Sequence, residues 1–120
     1  MVKREGLQTL TQTITTSEAN VGAKVPQNMR RYIYRVKTVN KYNGANELTL
    51  GSKLGAAATA TLDKVQHAVQ YDTWVDPDDV LEDSLPILIL EGSTSAADRY
   101  LRGVTDNGDC ELTILYVDAE

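Results

Sequence analysis

The chain has 120 residues, of which 42% are hydrophobic and 24% are charged. This length fits one domain with a packed core, and the composition excludes a wholly disordered chain. The 12 basic and 17 acidic residues give a formal net charge of −5, which argues against nucleic acid or an anionic membrane as a partner.

The sequence carries few signs of its compartment. One cysteine, Cys110, allows no disulfide within the chain, and no apolar run approaches the roughly 18–20 residues that cross a bilayer. The start, Met1 to Gly6, lacks the apolar stretch of a secretory signal. We therefore expect a soluble protein with a flexible N-terminal tail over residues 1–6 and a single domain over residues 7–120.

Strand patterns begin directly after this tail. Residues 7–16 carry threonines on one face and Leu10 and Ile14 on the other, which predicts a strand with one wet face. Residues 30–41 alternate more clearly still. Their two predicted faces are Tyr32, Tyr34, Val36 and Thr38 against Ile33, Arg35, Lys37 and Val39.

The pair Asn43-Gly44 follows this strand. Asn-Gly favours positive φ at a turn, so the pair predicts a hairpin from residues 30–41 into residues 47–50. Residues 54–70 are ambiguous, because their apolar side chains have helical spacing whereas their threonines favour a strand. A short helix near residues 56–69 and a strand both stay open.

A continuous apolar run covers residues 85–90 and predicts a strand buried on both faces at the centre of the core. A last strand over residues 110–117 places Leu112, Ile114 and Tyr116 on one face. Short strands separated by turns at short intervals are typical of an antiparallel β-sandwich or barrel. The predicted fold class is therefore all-β.

The chain offers little for catalysis. His67 is the only histidine, so a pair of histidine metal ligands is excluded. A thiolate–imidazole pair of Cys110 and His67 is the catalytic alternative, but Asp109 and Glu111 raise the pKa of a neighbouring thiol. We expect His67 to be a partly exposed polar residue and Cys110 a small apolar one. The sequence predicts no catalytic residues and no cofactor.

Carboxylates are dense over residues 76–83, and calcium prefers such oxygen ligands on a loop. Their spacing departs from the EF-hand pattern, so we favour a solvated acidic loop and assign no metal ligand. An ion site stays open as the alternative. The carboxylates are Asp76, Asp78, Asp79, Glu82 and Asp83.

Basic residues gather in the first third of the chain, while the second half is acidic. Such asymmetry steers copies of a chain head to tail, or docks one face on an acidic partner. The alternative is an edge strand that its arginines and lysines protect from mispairing. The candidate partner-binding residues are Arg30, Arg31, Arg35, Lys37 and Trp74.

Several segments occur in a characteristic order. A threonine-rich first strand precedes a long strand that Lys24-Val25-Pro26-Gln27-Asn28-Met29-Arg30 opens. Later come Val75-Asp76-Pro77-Asp78-Asp79-Val80-Leu81, then Glu91-Gly92-Ser93-Thr94-Ser95 and a chain-ending strand. Over nearly its whole length the chain resembles small jelly-roll structural proteins of tailed viruses of bacteria and archaea, among them head decoration and minor virion proteins.

This resemblance implies a jelly-roll-like sandwich, often trimeric, that attaches to a shell of repeated subunits and catalyses nothing. We therefore expect a virion protein, made in the host cytoplasm, that decorates or reinforces a capsid or other virion assembly. Its partners would be copies of itself and the major capsid protein or another virion protein. The main alternative is a ligand-binding module, for example for carbohydrate, that uses Trp74 and exposed tyrosines.

Overall fold

The computed structural model describes residues 6–81, 84–93 and 97–120. Of the expected flexible tail, only Gly6 lies within the described residues. Over these ranges the chain is all β, with no helix. The strands are β1 (Gln8–Ile14), β2 (Ala19–Val25), β3 (Arg30–Asn40), β4 (Asn46–Leu54), β5 (Ala60–His67), β6 (Thr73–Asp76), β7 (Leu88–Glu91), β8 (Arg99–Thr105) and β9 (Cys110–Ala119).

The strands form two antiparallel sheets that pack face to face. The first sheet has the order β1-β9-β3-β6, and β7 pairs with the other half of β3, while the second has the order β2-β8-β4-β5. Only the β4–β5 and β6–β7 connections stay within one sheet. This order is that of a jelly roll, in which β6 and β7 together occupy one strand position. The predicted antiparallel sandwich is confirmed.

The core lies between the sheets and is built from alternate residues of each strand. Leu112 and Ile114 of β9 are buried, as their predicted face requires, and Leu48 and Leu50 of β4 face them from the other sheet. The other buried members of this cluster are Ile14, Val21, Val25, Ile33, Val36, Val65, Leu90, Leu101 and Cys110.

A β-bulge interrupts the alternation of β3. Ile33 pairs with Tyr116 and Arg35 pairs with Leu115, so Tyr34 is an extra residue with no partner on β9. The bulge places Ile33 on the same core face as Val36. The predicted faces of β3 are therefore wrong before the bulge and correct after it, because one inserted residue exchanges the two sides of a strand.

Two further expectations are wrong, and one alternative that the sequence left open is decided. The chain crosses from one sheet to the other after β3, so β3 and β4 do not form the predicted hairpin. Residues 60–67 form a strand, which excludes the short helix there. In the run 85–90, the strand begins only at Leu88 and pairs with β3 alone; Leu85 is 73% exposed and Ile89 is 51% exposed. The strand β7 therefore lies at the margin of its sheet with exposed side chains, and this run is not the centre of the core.

The side chain of Arg31 joins both sheets inside the protein. Its relative exposure is 2%, and its Nε and a terminal nitrogen donate to the two carboxylate oxygens of Asp118 on β9, at 2.8 and 2.9 Å. A second terminal nitrogen donates to the carbonyl of Ala23 on β2 at 2.8 Å. The guanidinium also lies 4.7 Å from the ring centroid of Tyr116. Removing one partner of such a buried pair leaves the other charge uncompensated.

We expect Asp118→Ala to lower the free energy of unfolding by about 3 kcal/mol, because it leaves the buried guanidinium of Arg31 without its carboxylate partner. The matched control is Asp98→Ala, which breaks an exposed pair with Lys24 and should change stability by less than about 1 kcal/mol. Urea unfolding of the two variants measures both values. Equal losses in the two variants would contradict the structural role of Arg31.

Candidate functional site

A hydroxyl, an imidazole and a carboxylate stand in line at one end of the sandwich. His67 Nε2 lies 2.8 Å from the hydroxyl of Thr38, and His67 Nδ1 lies 3.0 Å from a carboxylate oxygen of Asp72. The order is that of a nucleophilic triad. However, Thr38 has 0% exposure and the side chain of His67 is also fully buried, so no substrate reaches this hydroxyl. The trio instead ties β5 and the β5–β6 loop to β3.

The burial of His67 corrects the expectation of a partly exposed residue. The first five residues of β5 are exposed, but its last three alternate inward and carry Val65 and His67 into the interior. Both ring nitrogens of His67 are occupied, so the alternative pair with Cys110 is not formed. No pattern in the sequence indicated that Thr38 and Asp72 lie beside His67.

Cys110 is buried in the core, where it pairs in register with Ile14 of β1 and Asn40 of β3. Burial raises the pKa of its thiol to about 11, a hydrogen bond with the Val39 backbone opposes that rise, and the charge of Glu111 adds to it. The thiol is therefore protonated at neutral pH, and a protonated thiol is a poor nucleophile.

The described residues contain no group of three or more His, Cys, Asp or Glu side chains placed to hold a metal ion. Asp76, Asp78 and Asp79 of the acidic segment fall within the described ranges. Glu82 and Asp83 lie outside them. Nothing in the described part of the segment supports the calcium alternative.

The basic strand is β3, and its outward-facing side chains lie on the outer face of the first sheet. After the bulge, Arg35 and Lys37 project away from the core. Their paired residues on β9 are Leu115 and Thr113, respectively. The next strand, β1, continues both rows with Thr9 and Thr11. The hydroxyls of Thr11 and Thr113 lie 3.0 Å apart. We call this surface, made of Thr9, Thr11, Thr113, Leu115, Arg35 and Lys37, the threonine face.

Five of these side chains also line a shallow pocket of about 100 Å³, namely Thr9, Arg35, Lys37, Thr113 and Leu115. Neither Arg35 nor Lys37 pairs with a carboxylate in the part of the chain that the structure describes. Arg35 Nε is moreover buried without a hydrogen-bond acceptor there. Two cations on the outer face of an acidic domain thus have no ion-pair partner among the described residues.

The other predicted partner-binding residues lie elsewhere. Arg30 is exposed but paired with Glu91 of β7 at 3.3 Å, and Arg31 is inside the protein. Trp74 is half-buried and packs against the core, so the carbohydrate-binding alternative loses its main stacking residue. Only Arg35 and Lys37 come together. Sequence reasoning missed Thr113 and Leu115, although the threonine alternation of β1 did indicate a wet face.

The second sheet has outer strands β2 and β5, and its β5 edge is poorly suited to strand addition. Leu50 pairs with Asp63 and Gly51 pairs with Thr61, so Leu62 is a bulged residue in the edge strand β5. A bulge and a nearby charged side chain such as Lys64 are devices that block edge pairing. Addition of a partner strand at the β5 edge is therefore disfavoured.

Comparison of the chain with protein-family models, curated proteins and solved structures gave no match. The described residues also contain no helix of the length and apolarity that a membrane crossing requires. A function can therefore be inferred only from the geometry and charge of the surfaces described above.

The buried thiol predicts a pH dependence of stability. The pKa of Cys110 is about 11 in the folded chain against 9.0 for an ordinary thiol, so between these values the unfolded chain loses the proton first. Stability should fall as pH rises through this window, by at most about 1.4 kcal/mol per pH unit. Urea unfolding at several pH values checks this against Cys110→Ala, which lacks the effect. Parallel curves would contradict the prediction.

Proposed function

We propose that the chain is a non-catalytic virion structural protein that docks on an acidic protein surface through the threonine face. It would decorate or reinforce a capsid or other virion assembly. The observation that carries the docking is the pair of cations without an ion-pair partner, Arg35 and Lys37, on the outer face of a domain whose net charge is −5. The jelly-roll strand order and the sequence resemblance support the virion role.

The position of β3 removes the simpler explanation for its basic residues. Arginine and lysine protect strands whose edges are free. Here β3 pairs with β9 on one side and with β6 and β7 on the other, so it has no long free edge to protect. Its outward cations are better explained by a surface that they meet.

The spacing of the cations indicates what that surface carries. Arg35 and Lys37 are two residues apart on one strand, so their attachment points are about 6.6 Å apart. Carboxylates two residues apart on an extended segment have the same spacing. Leu115 and the threonine methyl groups add apolar area to this face, and the threonine hydroxyls would supply hydrogen-bonding groups for a partner backbone. An acidic, extended protein segment fits this combination.

A face of this size binds weakly by itself, and repeated attachment would compensate. Exposed ion pairs contribute little individually, whereas copies held on one lattice gain from a high effective concentration. A homo-oligomer, with a trimer favoured, would present several threonine faces to a capsid at once. The major capsid protein or another virion protein would supply the acidic segments.

We expect charge reversal of the threonine face to abolish docking. A synthetic octapeptide of alternating glutamate and threonine serves as the acidic probe, and NMR titration at low salt gives its affinity. The double variant Arg35→Glu/Lys37→Glu should bind at least about tenfold more weakly, a loss of about 1.4 kcal/mol. The control is Lys53→Glu on β4 in the second sheet, which should bind like the unaltered protein.

The result also tests the alternatives. Because Lys53→Glu changes the net charge by −2 and the double variant by −4, a loss of binding free energy in the control of about half that in the double variant would mean that net charge alone governs binding. No binding of the probe to the unaltered protein would contradict the proposed docking. Loss of binding at 0.5 M salt is expected in either case, because exposed charges are screened over a few ångströms at that concentration.

A further inference from the structure

Tyr71, in the loop between β5 and β6, has a backbone conformation that bulky residues seldom adopt. Its φ is 65°, in the left-handed region that glycine and asparagine occupy with less strain. Among the described residues, the other non-glycine residue with positive φ is Asn28, which tolerates that region. The strain at Tyr71 therefore needs a separate explanation.

Buried polar groups fix this loop regardless of the side chain at position 71. The amide of Tyr71 donates to the carbonyl of Asn40 at 2.7 Å, and the amide of Asn40 donates to the carbonyl of Asp72 at 2.9 Å. The side-chain amide of Asn40, a residue with 0% exposure, donates to the carbonyl of Val69 at 2.8 Å. His67 holds the carboxylate of Asp72. The backbone is thus held in place from several sides.

The isolated fold gains little from the ring that this backbone carries. The side chain of Tyr71 is 66% exposed, and Val69 beside it is 60% exposed. The ring's contact with a charge is the ammonium of Lys41, which lies 5.7 Å from the ring centroid. Glycine at this position would relieve the strain and lose almost no packing. A rigid, strained loop therefore presents an aromatic ring to the outside.

The position of this ring connects it with the basic strand. Lys41 follows β3 directly, and alternation places it in the same row as Arg35 and Lys37. Tyr71 likewise lies two residues before Thr73, which pairs with Val39. The ring and its cation therefore stand at one end of the row of cations that faces outward.

We propose that Tyr71, together with Val69, is the anchor of this docking surface and packs against apolar side chains that flank the acidic segment of the partner. The inference rests on the proposed function and extends it. Tyrosine is enriched among residues that dominate interface energetics, because a large ring with few rotatable bonds loses little entropy on binding. Fixing its backbone beforehand lowers the entropic cost further. Lys41, Arg35 and Lys37 would meet the carboxylates of the segment itself.

The test compares three probes and two variants. The first probe is the alternating glutamate–threonine octapeptide. The other two are the same peptide with two leucines added at its N-terminus and with two leucines added at its C-terminus. The unaltered protein should bind one leucine-extended peptide about tenfold more tightly than the plain one. Tyr71→Gly should lose that gain, keep its affinity for the plain peptide, and unfold at a higher temperature because the strain is relieved.

The control is Ile89→Ala on β7, an exposed apolar residue away from the row, which should keep the gain. If the plain peptide binds but the leucines add nothing, or if Tyr71→Gly keeps the gain, the anchor is overturned and the docking face stands. If the plain peptide does not bind, the proposed function itself fails. If a soluble oligosaccharide shifts the Tyr71 ring signals and the leucine peptides do not, the site is a carbohydrate site and the inference is overturned.

Discussion

One inserted residue in β3 determines which basic side chains of this strand are buried and which face outward. Without the bulge at Tyr34, strict alternation would place Arg31 on the same face as Arg35 and Lys37. With it, Arg31 turns into the interior and meets Asp118, whereas the other two cations project from the opposite side of the sheet. The strand thus supplies both a buried ion pair that holds the sandwich together and a basic outer face.

The outer face is rigid because its supports are buried. Arg31 joins the two sheets at one end of β3, through bonds to β9 and β2. Asn40 and His67 fasten the loop of residues 68–72 at the other end. A partner that meets this face has little conformational entropy to remove from it, which is the condition under which a small interface binds usefully. The same fastening explains how Tyr71 keeps a strained backbone.

Local pattern predicted much of the fold and little of the site. Alternation identified the faces of β9, and the succession of short strands identified the sandwich. The errors share a cause, since each depended on residues distant in sequence. The bulge is visible only against β9, and the burial of Arg31 depends on Asp118, 87 positions away. Likewise, Asn43-Gly44 lies in a bend, as expected, but β4 enters the other sheet. A hydrogen bond between the buried side chains of Asn46 and Asn40 joins the two ends of this connection.

A map of the contact surface tests the central claim most directly. Backbone amide signals of the ¹⁵N-labelled protein, followed by NMR during titration with the acidic octapeptide, report which strands the ligand touches. We expect the largest shifts on β1, β9 and the second half of β3, at Thr11, Thr113, Arg35 and Lys37. Shifts confined to the second sheet, on β4 or along the edge of β5, would contradict it.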